Sequence, residues 1–137
     1  MDKDQFLTSY LNHEMHRNLD LRLEMNDGKS TLSCVISNTI LNLVGIVHGA
    51  IYFKLMDDAC FFAALSIENS HFVATADFNI HYIKPASKGR LTAYAHIVNH
   101  RKNRYLCACD IKNDAGELCA HGTGTFVEPK TKYSYKR

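Results

Sequence analysis

The chain has 137 residues, of which 46% are hydrophobic and 22% are charged, a composition typical of one globular domain that buries a sizeable core. The 16 basic and 14 acidic residues give a net charge of +2, which argues against a dedicated nucleic-acid-binding protein with its clustered basic face. No stretch approaches the roughly 20 apolar residues that span a bilayer, and the first residues lack the basic start and apolar run of a signal peptide. We therefore expect a cytoplasmic protein whose 5 cysteines are reduced core residues.

Hydrophobic periodicity predicts three elements in the first half of the chain. Apolar residues at helical spacing indicate a short amphipathic helix over about residues 3–13. Alternating apolar and polar residues on either side of Asn26-Asp27-Gly28 predict a β-hairpin within residues 18–37. Residues 49–67 form the longest helix candidate, and because they are almost entirely apolar this helix should be buried.

The second half of the chain contains four strand candidates, at residues 72–84, 90–100, 104–112 and 117–127. The connections between them are short, which predicts antiparallel pairing in chain order, as a meander. With the hairpin, these strands predict an α+β fold in which an antiparallel sheet of five to six strands curls around the one long central helix. We expect residues 1–137 to form a single domain with a flexible basic tail over residues 130–137.

Strand alternation is clearest in residues 72–82, where every second residue is apolar. We expect the apolar face to pack on the core. The opposite face, which would line an interface or a cleft, carries Thr75, Asp77, Asn79 and His81. In the last strand candidate, Gly122 and Gly124 would permit a close approach of the backbone.

The long helix carries two adjacent carboxylates with different surroundings. Asp57 shares its helix face with Phe53 and Phe61, whereas Asp58 lies one turn after Lys54, the spacing of a helix-surface ion pair. An unpaired carboxylate in apolar surroundings has a raised pKa, which is typical of a general base or a nucleophile. The alternative is that Asp57 simply accepts hydrogen bonds from a neighbouring strand.

A spacing motif surrounds Asp57. Asn42 is followed six residues later by His48-Gly49-Ala50, and Asp57 lies nine residues after His48. This segment resembles the signature of the PaaI-like hotdog-fold thioesterases, a family that hydrolyses acyl-CoA, although Ala50 stands where the family usually has a second Gly. The resemblance covers about residues 18–127, because residues 76–85 also look like that family's strand after the central helix.

The resemblance implies a role for the two ends of this motif. Asp57 would activate water or attack the thioester carbonyl itself, and the sequence leaves that choice open. The backbone N–H groups of Gly49 and Ala50 would polarise the carbonyl oxygen. Independent physics agrees, because a helix N-terminus presents free N–H groups and a positive dipole end to developing negative charge.

Three further residues have both a functional and a structural interpretation. By resemblance, Asn42 would orient the water or hold the carbonyl, but a loop Asn commonly bonds its own backbone. His48 would contact the thioester oxygen or, equally, cap the helix. Thr75 matches a Ser or Thr that positions water in some relatives, where the opposite subunit contributes it, and a plain strand Thr is the commoner case.

Basic residues at two predicted turns are candidates for binding the phosphates of CoA, as the resemblance implies. Together with the turn residues between them they are Lys84, Pro85, Lys88, Gly89, Arg90, Arg101 and Lys102. The simpler interpretation is that these are solvated turns. Phe53 and Phe61 are expected to line the acyl pocket. Aromatic walls accept aryl and aliphatic acyl chains alike, so the sequence does not distinguish between these substrates.

The resemblance implies a homodimer or homotetramer with active sites at the subunit interface. We expect no cofactor, metal or membrane, because the histidines and cysteines show no recognised ligand spacing and no Gly-rich phosphate loop is present. Two other functions stay open on the sequence. One is an acyl-thioester hydratase or dehydratase, which needs a second acid/base group, and the other is a non-enzymatic acyl-CoA-binding module.

Overall fold

The computed structural model describes residues 2–67 and 72–133, which contain two α-helices and six strands. The helices are α1 (Lys3–Leu11) and α2 (Gly49–Ile67), and the strands are β1 (Arg22–Asn26), β2 (Lys29–Val35), β3 (Ala74–Tyr82), β4 (Arg90–Arg101), β5 (Arg104–Lys112) and β6 (Leu118–Val127). The bounds of α2 are those predicted, and the four later strands each begin and end within two residues of their predicted bounds. His71 and the last part of the predicted tail, 134–137, lie outside the described residues.

The predicted hairpin is confirmed as β1–β2, and its turn is hydrogen-bonded to the long helix α2. Asp27 and Gly28 adopt positive φ angles of 49° and 77°, the backbone conformation of a tight two-residue hairpin turn. The Gly28 N–H donates a hydrogen bond of 2.7 Å to Ser66 Oγ, near the end of α2. The hairpin therefore packs against α2 with a fixed register.

The six strands form one antiparallel sheet in the order β1-β2-β4-β5-β6-β3. The predicted meander is correct for β4, β5 and β6 but wrong for β3, which pairs with β6 at the sheet edge and not with β4. Residues 83–89, which join β3 to β4, are too long for a tight hairpin turn. Extended at ~3.3 Å per residue they reach about 23 Å, enough to cross the three strand spacings of roughly 14 Å in total.

Two glycines explain why β3 pairs with β6. Gly122 and Gly124 lie opposite Ile80 and Phe78, and the Phe78 ring occupies the space that side chains would fill. A Cβ built on Gly124 would lie 2.4 Å from Phe78 Cδ2. The predicted close approach of the backbone is confirmed at Gly122, where a Cβ would lie 2.8 Å from the Asn79 carbonyl oxygen. The structure adds what was not predicted, that the Phe78 ring of β3 takes the space beside both glycines.

A β-bulge changes which residues of β3 face the helix. The register shifts between Thr75 and Asp77, so that Ala76 is an extra residue. Thr75 pairs with Phe126, which is fully buried on the inner face of the sheet, and therefore points toward α2. The prediction that Thr75 and Phe78 face opposite ways is wrong, because the bulge moves Thr75 to the face of Phe78.

The core lies between the inner face of the sheet and α2. The largest fully buried side chains include Phe62, Leu55 and Met56 of α2 and Leu32, Leu91, Ile111 and Phe126 of the sheet. All five cysteines are buried with free thiols, as predicted. On the outer side of α2, α1 contributes Phe6 and Tyr10, whose rings pack against Phe62. Within the described residues, neither helix combines the length and hydropathy of a membrane span.

Candidate active site

Asp57 lies in the middle of α2, half-buried, on the side of the helix that faces the start of β3. Thr75 Oγ1 donates a hydrogen bond of 2.6 Å to Asp57 Oδ1 and is the only described residue that donates to this carboxylate. Burial raises the pKa of Asp57, Asp58 adds to the rise, and the Thr75 hydroxyl opposes it. The predicted raised pKa is confirmed, so Asp57 is a stronger base than an exposed carboxylate.

The neighbouring Asp58 is held by two structural partners. Lys54 Nζ forms the predicted i to i+4 ion pair with Asp58 Oδ2 at 2.8 Å. The Tyr10 hydroxyl of α1 donates to the same oxygen at 2.6 Å, and burial together with Asp58 raises the pKa of Tyr10. Asp58 therefore links α1 to α2 through its hydrogen bond with Tyr10. Among the described residues Asp57 has Thr75 as its only donor, and it is the carboxylate available for chemistry.

His48 caps the N-terminus of α2. Its Nδ1 accepts a hydrogen bond of 3.0 Å from the Ala50 N–H, which is the capping role predicted as one of two alternatives. Because Nδ1 accepts, the ring carries its proton on Nε2 and presents an N–H donor there. The Ala50 N–H is thus occupied within the chain, whereas the Gly49 N–H donates to no described residue.

Asn42 organises the loop that precedes α2. Its side-chain Oδ1 accepts from the Val44 N–H at 3.0 Å and from the Ile46 N–H at 3.2 Å, and its own N–H donates to the Ile46 carbonyl at 2.8 Å. The local bonding that we gave as the structural alternative is therefore present. Both side-chain bonds use the oxygen, so a substrate or water would be contacted by the amide nitrogen.

The two predicted pocket phenylalanines have different surroundings. Phe53 lies one turn before Asp57, is 40% exposed and meets the Phe78 ring edge-on at 5.5 Å. Phe61 lies one turn after Asp57 and packs among Phe6 of α1, Phe62 and Phe72. Phe53 therefore lines open surface beside Asp57, whereas α1 covers much of Phe61.

The predicted CoA-binding residues do not form one cluster within the chain. The connection 83–89 and Arg90 lie at the start of β4, and Arg101 and Lys102 lie at its end. Since β4 has 12 residues, these ends are about 36 Å apart. One chain alone therefore cannot bring both basic turns to a single ligand.

Carboxylates already pair two cations at the first of these turns. The Lys84 ammonium forms an ion pair with Glu117 and lowers the pKa of that carboxyl. The Arg90 guanidinium bonds Asp20 Oδ2 at 2.8 Å and the Asp20 carbonyl at 2.6 Å, and it lowers the pKa of Asp20. Pro85, Lys88 and Gly89 are exposed. Arg101 and Lys102 form no ion pair with any described carboxylate.

Sequence reasoning missed Tyr82 as a neighbour of the helix start. Its hydroxyl donates a hydrogen bond of 2.9 Å to the Gly49 carbonyl. The available signal was the alternation that places Phe78, Ile80 and Tyr82 on the inner face of β3. Nothing in the sequence showed that the end of β3 lies beside the start of α2, because 33 residues separate the two partners.

Comparison with known proteins identifies the family. The thioesterase superfamily model matches residues 44–120, more than half of the chain. The chain therefore belongs to the thioesterase superfamily. Human acyl-coenzyme A thioesterase 13 is 29% identical over 100 residues, which cover 72% of this chain and 71% of the human protein. The family and the hydrolase class predicted from the motif around Asp57 are confirmed.

Solved structures show the same fold. A thioesterase from Haemophilus influenzae superposes with a TM-score of 0.80 at 19% identity, covering 90% of this chain and 87% of its own. A conserved protein from Pseudomonas aeruginosa superposes with a TM-score of 0.81 at 21% identity, covering 94% of this chain and 100% of its own. The predicted hotdog fold is thus confirmed.

The candidate residues of this thioesterase fall into two groups along α2. Asn42, His48 and Gly49 lie at the helix start, and Asp57 and Thr75 lie at its middle. Eight residues at ~1.5 Å each separate Gly49 from Asp57 by about 12 Å along the helix axis. Within one chain, a single thioester carbonyl cannot contact both groups.

Proposed function

We propose that this thioesterase hydrolyses acyl-CoA thioesters to a free acid and CoA, with Asp57 as its catalytic carboxylate. The observation that carries the proposal is the half-buried, unusually basic Asp57 with a single described donor, Thr75. The match to the superfamily model supports the reaction class, and the name of the human relative supports acyl-CoA as the substrate. The buried free thiols fit a cytoplasmic enzyme in a reducing compartment.

The reaction needs a second copy of the chain. β3 is a nine-residue edge strand with one side open to pairing. If two copies pair antiparallel along β3, the start of that strand in one subunit lies beside its end in the other. Asp57 and Thr75 are near the start of β3 and Gly49 is near its end, so Gly49 of the partner subunit would approach Asp57. We therefore propose a homodimer, or a homotetramer built from such dimers.

The chemistry follows from the two groups of residues. Asp57 takes a proton from water as the water oxygen attacks the thioester carbonyl, or its carboxylate attacks that carbon directly and water then cleaves the anhydride. The Gly49 N–H at the helix start donates to the oxyanion that develops. The carbon–sulfur bond breaks, and CoA leaves as a thiolate that takes up a proton. The Thr75 hydroxyl fixes the Asp57 carboxylate for either route.

The same dimer brings the two basic turns together. Antiparallel pairing along β3 places the connection 83–89 of one subunit at the end of the dimer where the other subunit carries its β4–β5 turn. We propose that Arg101 and Lys102, which no described carboxylate neutralises, bind CoA phosphates, with Lys88 of the partner subunit nearby. Phe53, beside Asp57, would contact the acyl chain.

The test is turnover of a panel of short, medium, long and aryl acyl-CoAs, with released thiol as the readout. The wild-type chain is compared with Asp57→Asn and with Asp58→Asn, which removes the adjacent carboxylate that has structural partners. We expect Asp57→Asn to lose nearly all activity and Asp58→Asn to keep most of it. Oligomeric state and thermal stability of all three proteins are measured in parallel.

Other outcomes assign the other functions. If the wild-type chain binds acyl-CoA and releases no thiol, the binding-module interpretation replaces ours. If it instead adds water to, or removes it from, the acyl chain, the protein is a hydratase or dehydratase. Equal activity in Asp57→Asn and wild type, with both folded, would contradict the role of Asp57.

A further inference from the structure

Tyr82 is a half-exposed tyrosine whose hydroxyl is used at the start of α2. The hydroxyl donates to the Gly49 carbonyl at 2.9 Å, and the ring meets Tyr52 edge-on at 5.6 Å. A Cβ built on Gly49 would lie 3.3 Å from Tyr82 Oη, so the hydroxyl contacts this part of the backbone directly. Tyr82 thus fixes the first turn of α2 from the end of β3.

The bond from Tyr82 continues through one peptide group to His48. The Gly49 carbonyl and the Ala50 N–H belong to the same peptide, and that N–H donates to His48 Nδ1 at 3.0 Å. Hydrogen bonds that share a peptide group polarise and align one another. The Tyr82 hydroxyl therefore strengthens the bond that holds the His48 proton on Nε2.

We infer that Tyr82 is a positioning residue of the oxyanion site, an inference that rests on the proposed thioesterase function. It fixes the plane of the Gly49–Ala50 peptide. The Ala50 N–H of that peptide orients the His48 ring, and the peptide is joined through the Gly49 Cα to the Gly49 N–H, so holding it in place restrains that N–H as well. In the proposed mechanism the Gly49 N–H and the His48 Nε2–H would donate to the thioester oxygen as it gains negative charge, and Tyr82 would act on the transition state through them.

The first test is steady-state kinetics of Tyr82→Phe, which removes only the hydroxyl. We expect kcat to fall about tenfold, because roughly the free energy of one net hydrogen bond is lost from the transition state. KM should stay within about twofold of wild type. Tyr94→Phe is the matched control, because Tyr94 lies on the outer face of the sheet and its hydroxyl bonds no described residue. It should leave both constants unchanged, and thermal unfolding checks the fold of each variant.

The second test is spectroscopic and separates positioning from a general structural role. An acyl-CoA labelled with carbon-13 at its carbonyl is bound to Asp57→Asn, with and without Tyr82→Phe, and its infrared carbonyl stretch is recorded. A donor at the oxygen lowers this frequency. We expect the frequency to be lower with Tyr82 than with Phe at that position.

The results distinguish the inference from the function on which it rests. If the wild-type chain releases no thiol from any acyl-CoA, the proposed function fails. If the wild type is active and Tyr82→Phe matches it in both kcat and carbonyl frequency, the positioning role alone is overturned. A fall in thermal stability with unchanged kcat would overturn it as well.

Discussion

Thr75→Val tests how the hydroxyl next to Asp57 tunes this thioesterase. Val has the shape of Thr without its hydroxyl, so the change removes the 2.6 Å hydrogen bond to Asp57 Oδ1. A hydrogen bond to a charged group contributes roughly 1.5–3 kcal/mol. Because Thr75 is exposed, water can partly replace its hydroxyl in the variant, so we expect a net loss of roughly 1–1.5 kcal/mol. That loss corresponds to about a five- to twelvefold fall in kcat/KM.

The pH dependence of kcat/KM shows in which direction the loss of the Thr75 hydroxyl shifts the pKa of Asp57. In the proposed mechanism the ionised Asp57 is the active form, and the Thr75 hydrogen bond lowers the pKa of Asp57 against the effect of burial. Without that bond the pKa rises further, so the acidic limb of the profile should move to higher pH. Thr75→Ser, which keeps a hydroxyl, should leave the limb in place.

The assay is kcat/KM for one acyl-CoA across the acidic range, with Thr75→Ser as the control and thermal unfolding as the check on folding. An acidic limb that stays in place or moves to lower pH in a folded Thr75→Val protein would refute the role given to this hydrogen bond.

Three further predictions concern stability. Burial raises the pKa of Asp57 above its unfolded value, so its stabilising contribution is present at acidic pH and is lost as pH rises through the folded pKa. Asp57→Asn should therefore raise the Tm at neutral pH and change it little at acidic pH, as scanning fluorimetry can show. Gly124→Ala should cost roughly 1–3 kcal/mol in urea unfolding, because its Cβ would lie 2.4 Å from the Phe78 ring. Tyr10→Phe should cost roughly 1.5–3 kcal/mol through the lost bond to Asp58 and leave kcat unchanged.

Local patterns in the sequence predicted the elements and part of the site. Residues 49–67 form a helix because apolar, non-β-branched residues dominate them, and their burial follows from the same composition. The Lys54–Asp58 ion pair depends only on helical spacing. The capping bond of His48 was also predicted, as one of two alternatives, because it spans only two residues.

Long-range contacts were not predictable in this way. The sequence pattern did not show that β3 crosses to β6, nor that an extra residue at Ala76 turns Thr75 toward the helix. Tyr10 reaches Asp58 across 48 residues of chain, and no periodicity relates the two. Such contacts depend on the packing of whole elements, which local propensity does not determine.

The central claim is that two subunits share each acyl-CoA thioesterase site. Complementation between two inactive variants tests this claim most directly. Asp57→Asn removes the carboxylate. Gly49→Pro removes the Gly49 N–H at the first helical position, where proline is tolerated, so α2 should still form. Each variant alone should release almost no thiol from acyl-CoA.

The two variants are then unfolded, mixed in equal amounts and refolded together. A mixed dimer has one site with both changes and one site with neither, so random mixing should restore about a quarter of the wild-type activity. If the mixture stays as inactive as its components while mixed dimers demonstrably form, Asp57 and Gly49 do not act across the subunit interface and the proposed site is wrong.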